Sequence, residues 1–203
     1  MKLCDFKIAP NPRRVRIFIA EKGLSIPVEQ VDLFSRKSRC PDFLKKNPSG
    51  HVPVLELEDG TCLAESVAIC RYLELTHPTP NLMGRDAREQ AFIEMWQRWM
   101  ELELFFPVEG YFKHTDPMFK GRFTQLPVYA EEQRAEATER LQRLDRELAG
   151  REFIAADRYT IADITTLVAL DLFTSLAKQP FPHELENLKR WHDAVAARPS
   201  AKA

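Results

Sequence analysis

The feature that most constrains this chain is a change of periodicity near residue 77. Before it, short apolar runs with strand character alternate with amphipathic helical runs. After it, almost every segment repeats with a helical period. The first part reads strand, helix, strand, loop, hairpin, helix. "KLCDFKI" is a strand, and Asn11-Pro12 opens a helix with Asn11 as N-cap and Pro12 at the first helical position. That helix runs through "RRVRIFIAEK" to a C-capping Gly23. "PVEQVDL" is a second strand, followed by a basic loop, "SRKSRCP", and a short helical turn, "DFLKKN". "VPVLELEDGTCL" folds as a hairpin around Asp59-Gly60. "ESVAICRYLELT" closes the unit as a helix with Val67, Ile69, Cys70 and Leu73 on its inner side. One parallel pair joined by a helix, then a hairpin and a helix, needs a single four-stranded mixed sheet. This predicts an α/β thioredoxin-like domain over 1–76.

"HPTPNLMG" reads as a linker over 77–85. The remainder, 86–203, predicts an all-α helical bundle with helices near 86–106, 128–148, 161–178 and 183–198. Thr160 and Asp163 are spaced as a capping box, with Tyr159 and Ile164 as its hydrophobic staple.

Composition narrows the function classes. The 203 residues carry 29 Lys and Arg against 30 Asp and Glu, a formal net charge of −1. That balance gives no bulk attraction for nucleic acid or an anionic membrane. No apolar run approaches membrane-spanning length, and the N-terminus has no signal-peptide pattern. The four cysteines form no C-x-x-C pair and no Cys/His set with zinc spacing, so no metal is expected. Cys4, Cys62 and Cys70 read as buried, inert thiols, and a reduced, cytoplasmic location is the default.

The stretches "NPSGHVPVLELEDGTCLAESVAICRYLE" and "FIAADRYTIADI", in this order and at this separation, resemble the cytosolic glutathione transferase (GST) family over essentially the full length. "PRRVRIFIAEKGL" is similar to bacterial members and to the atypical branch lacking an N-terminal catalytic Tyr, Ser or Cys. The resemblance implies the GST fold, glutathione as co-substrate and a homodimer. It implies a role in detoxification, with the helical domain contributing the pocket for a hydrophobic electrophile. It places Glu65 and Ser66 at the γ-glutamyl end of glutathione, although the same two residues serve equally to start a helix. It makes Pro53 a cis proline, with Val52 offering its backbone to the cysteinyl part. His51, and secondarily Arg39, fall near the glycyl carboxylate.

The usual thiol-activating hydroxyl would fall at Ala9, beside Pro10, and neither residue supplies one. Two substitutes are visible. Asn11 has an amide donor at a helix N-terminus and sits in a loop, "PNPRRV", similar to that of the nu-class enzymes, which favour disulfide reduction. His114, with Thr115, lies in the aromatic segment "LFFPVEGYFKHTDPMF" and is the plausible equivalent of residues that hold a water against the sulfur in atypical transferases. Tyr111, Phe112 and Thr115 are the expected electrophile-pocket residues, with Trp96, Trp99, Phe105, Phe106 and Phe119 as further candidates. Three readings stay open: conjugation of glutathione to a small electrophile, glutathione-dependent disulfide or peroxide reduction, and non-catalytic binding of glutathione or a hydrophobic ligand.

Overall fold

The computed structural model describes all residues, 1–203. They divide into two compact units: Met1–Asn81 together with Pro199–Ala203, and Leu82–Arg198.

The first unit is built on four strands, β1 (Lys2–Asp5), β2 (Val28–Gln30), β3 (Val54–Glu56) and β4 (Cys62–Ala64), in the order β2-β1-β3-β4. β1 and β2 are parallel, joined by helix α1 (Pro10–Glu21). β1 pairs antiparallel with β3 and β3 with β4, so the sheet is mixed and thioredoxin-like. Helix α2 (Pro41–Lys46) precedes β3, and helix α3 (Ser66–Thr76) follows β4. The β3–β4 turn is fixed where Thr61 N–H reaches Asp59 Oδ1 at 2.9 Å and Gly60 takes φ +84°, which favours glycine. Cys4, Val31, Phe43, Val52 and Val54 form a buried cluster on the sheet. On α3, Ile69, Cys70 and Leu73 are buried as the pattern predicts, and Val67 is half-buried.

One sequence expectation changes here. Helix α1 begins two residues earlier than predicted, with Ala9 as N-cap and Asn11 inside the first turn. Pro10 and Pro12 both fit there, because the first turn of a helix has no use for their missing N–H groups. The division between the two units, after Asn81, falls inside the 77–85 segment. Leu82 and Met83 are fully buried, Asn81 donates to Glu74 Oε1 at 2.7 Å, and Lys22 Nζ donates to the carbonyls of His77 and Pro80.

The 199–203 stretch, expected in the helical domain, belongs to the first unit. Arg13 Nη2 donates to the Ala201 carbonyl at 3.0 Å, and the Ser200 hydroxyl donates to Glu21.

The second unit is helical: α4 (Ala87–Trp99), α5 (Phe106–Thr115), α6 (Pro127–Glu147), α7 (Ile161–Asp171) and α8 (Glu186–Ala196). A π-helical turn, Met100–Phe105, runs α4 directly into α5, so helical backbone continues past the predicted end near 106 to Thr115. The widened turn, in which Phe106 N–H reaches the Glu101 carbonyl, lets Pro107 follow without ending the helix. A similar turn, Leu172–Leu176, extends α7. The capping box forms as expected: Asp163 Oδ2 accepts from Thr160 N at 2.9 Å and from the Thr160 hydroxyl at 3.0 Å. Tyr159 and Ile164 are both buried. No helix is long and apolar enough to cross a membrane.

Candidate functional site

Strand register gathers the first-unit candidates. Cys4 pairs with Val54, and Val54 with Ala64. The end of β1, the start of β3 and the end of β4 therefore share one edge of the sheet. The residues just beyond these strands are the α1 entry with Ala9 to Asn11, the Val52–Pro53 bond, and Glu65 with Ser66. The topology thus brings together three segments that lie far apart in sequence.

The Val52–Pro53 peptide bond is cis. Val52 buries its side chain in the sheet core, while its N–H and C=O make no hydrogen bond within the chain. The turn before it is stapled by Asn47, which the sequence reading passed over. Asn47 Nδ2 donates to the His51 carbonyl at 2.9 Å, and its Oδ1 accepts from the Ser49 amide at 3.1 Å and the Ser49 hydroxyl at 2.9 Å. Arg39 crosses the same turn, donating to the Ser49 carbonyl at 2.8 Å. Gly50 has φ +64°, and a Cβ there would stand 2.8 Å from Arg39 Nη1, so glycine is required twice over. The two cationic candidates, Arg39 and His51, therefore belong to one turn, and both are solvent-exposed.

Glu65 is the N-cap of α3 with φ 69° and ψ 120°, a backbone state costing about 1–3 kcal/mol for a residue with a Cβ. It is set by the β4 pairing on one side and by the Glu65 carbonyl accepting from Ile69 N at 2.9 Å on the other. No side chain caps α3, and no acidic residue occupies its first turn. Its leading N–H groups and positive dipole end are available to an anion. Ser66, at the first helical position, is 4% exposed, and its hydroxyl has no partner within the chain.

The α1 entry has no hydroxyl, as the sequence implies. Its side-chain donor is Asn11. Asn11 does not cap the helix; its Oδ1 instead accepts from Arg14 Nη2, one turn on. Arg14 is only 3% exposed. Sequence reasoning missed it because "PRRVR" looks like a solvated charge run. The available signal was its i,i+3 spacing from Asn11. The nearby Cys70 thiol is pushed up to about 12 by burial, with the Arg14 charge opposing the shift. Burial likewise raises Cys4, so neither is a nucleophile. Cys62, expected buried, is half-buried, and Cys40 is exposed.

In the helical unit, His114 Nδ1 accepts from Leu126 N–H at 3.0 Å, and its ring meets Phe123 and Tyr129 edge-on. The accepting Nδ1 leaves Nε2 to carry the proton of the neutral ring. The Thr115 hydroxyl turns back to the Tyr111 carbonyl at 2.8 Å. Tyr111 is buried, its hydroxyl accepting from Gln179 at 2.7 Å and its ring against Phe173. Phe112 is buried edge-to-face against Phe119. Trp96 and Trp99 pair with each other and face Arg151 and Arg143 respectively. Phe105 is core, while Phe106 is exposed.

Residues 8–76 match the family model described as Glutathione S-transferase, N-terminal domain, and residues 100–199 the one described as Glutathione S-transferase, C-terminal domain. The whole chain aligns at 37% identity with Glutathione S-transferase 2 of Saccharomyces cerevisiae, covering 88% of that protein. The crystal structure of a glutathione S-transferase domain-containing protein from Marinobacter aquaeolei VT8 matches with a TM-score of 0.93 at 40% identity, over 98% of this chain and 99% of that one. Probable elongation factor 1-gamma 2 of Arabidopsis thaliana is 32% identical over 92% of this chain, which spans 45% of that protein's length. With matching domains over both units and a relative aligned from end to end, the chain belongs to the glutathione S-transferase family.

Proposed function

We propose that the protein binds glutathione at the sheet edge of its first unit and uses the thiolate to attack a small hydrophobic electrophile. The observation that carries this reading is the α3 start. A partnerless hydroxyl on the largely buried Ser66 and an uncapped helix N-terminus lie at the same end of the sheet as the unpaired backbone of Val52. A carboxylate satisfies the first two, and a peptide backbone satisfies the third. In this reading Ser66 takes the γ-glutamyl carboxylate and Glu65 its amine, Val52 pairs with the cysteinyl unit, and His51 and Arg39 serve the glycyl end. Pro53 fixes the direction of Val52.

The Asn11 amide and the α1 N-terminus stabilise the thiolate. Lowering a thiol pKa from about 8.5 by two units requires about 2.7 kcal/mol of preference for the anion. One charge-assisted hydrogen bond supplies roughly 1.5–3 kcal/mol. The second substrate is assigned to the helical unit at Tyr111, Phe112 and Thr115. We further assign the protein to the cytoplasm, to a detoxifying role and to a homodimer, in keeping with its family.

A second reading, non-catalytic binding, is favoured by the absence of any hydroxyl at Ala9 and Pro10. One titration separates the two: thiolate absorbance of bound glutathione against pH, in the wild type, Ser66→Ala and Asn11→Ala. Conjugation predicts a bound thiol pKa well below about 8.5, raised toward that value in Asn11→Ala. Ser66→Ala weakens binding roughly 10- to 100-fold without moving the pKa. An unshifted thiol in tightly bound wild type leaves the binder reading in first place.

A further inference from the structure

We infer that Arg14 is a positioning residue that fixes which face of the Asn11 amide is presented at the α1 entry. This inference rests on the assignment of Asn11 to the thiolate. An asparagine side chain has a donor end and an acceptor end of nearly equal shape, and its neighbours decide which points where. An arginine guanidinium only donates. Arg14 Nη2 meets Asn11 Oδ1, so the acceptor end is engaged, while Nδ2 makes no hydrogen bond within the chain. Any group arriving at Asn11 therefore meets hydrogen-bond donors.

The contact is also placed to last. Arg14 is buried, and its position four residues into α1 is held by the packing of α1 on α3. The prolines beside Asn11 add a second restriction. Pro10 and Pro12 have no N–H, and Arg13 N–H already reaches the Ala9 carbonyl. At the α1 entry the donors of Asn11 are therefore its backbone N–H and its oriented amide. Both favour an anion, and neither offers a lone pair against one. Removing Arg14 frees the amide to rotate its oxygen outward, which turns an attractive dipole into a repulsive one.

The test is the pH titration of bound glutathione at saturation in wild type, Arg14→Met, Arg14→Lys, Asn11→Ala and the Asn11→Ala/Arg14→Met double variant. Arg14→Met is expected to raise the thiol pKa by about one unit, a tenfold shift in the ionisation constant. Lysine, also donor-only, restores most of it. In the Asn11→Ala background, Arg14→Met adds no further shift, an outcome that a merely structural arginine does not give. A shift of equal size in both backgrounds overturns the proposal. So does an unchanged pKa in Arg14→Met where Asn11→Ala raises it. If Asn11→Ala itself leaves the pKa unmoved, the Asn11 assignment fails and the role of Arg14 fails with it. Should Arg14→Met not fold, Arg14→Lys against Arg14→Ala gives the same contrast, and equal pKa values for those two overturn the inference.

Discussion

Lys22 Nζ lies 2.6 Å from Glu74 Oε2, in a pair whose side chains are 0% and 7% exposed. The ammonium also holds the carbonyls of His77 and Pro80, so one buried charge ties α1 to α3 and to the segment that follows it. Breaking such a pair leaves an uncompensated buried ion and costs about 3–5 kcal/mol. Glu74→Ala is therefore expected to lower the urea midpoint of unfolding far more than removal of a surface carboxylate such as Asp42, whose pair with Lys45 is exposed on both sides. Comparable midpoints for the two variants would show that the buried pair is not a structural tie.

Glu89 gives the structure a sensitivity to acid. Arg158 grips both its oxygens and the Arg85 N–H adds a third bond, which holds the carboxyl down at about 2 from an ordinary 4.5. A carboxyl depressed in the folded state contributes stability that is complete above its unfolded pKa and is lost as pH falls toward the folded one. The difference in stability between wild type and Arg158→Leu should therefore be largest above about pH 5 and shrink toward pH 2. A difference that stays constant across that range would rule out the linkage.

Asp163 accepts four hydrogen bonds while fully buried: from Ile154 N, Trp191 Nε1, Thr160 N and the Thr160 hydroxyl. Burial still pushes its carboxyl above the ordinary range, since desolvation outweighs the four donors. Asparagine has one acceptor oxygen, so Asp163→Asn sets an N–H against at least one donor. The expected cost is about 1–3 kcal/mol, read as a lowered midpoint with loss of amide-exchange protection at Thr160 and Ile154. Unaltered protection at those two amides would contradict this account.

What the sequence disclosed was what local chemistry controls. The Thr160–Asp163 box, the Asp59-Gly60 hairpin and the Gly23 stop each depend on residues a few positions apart, and each forms. The α1 entry was misread because Asn-Pro is a strong helix-start signal, while a proline at the position before it serves equally well. Pro107 hid the continuity of α4 and α5 because the sequence does not announce the π-helical turn that accommodates it. Arg14 and Asn47 act through contacts that exist only once the chain is folded, and by composition alone both look like ordinary surface polar residues.

The return of residues 199–203 to α1 has a consequence for how the protein is made. Arg13 and Glu21 bind a segment that emerges from the ribosome only after the entire helical unit. At about 5–20 residues per second, the first unit waits on the order of ten seconds for its final piece. Through that interval, the helix that carries Asn11 and Arg14 lacks its partners at Ser200 and Ala201.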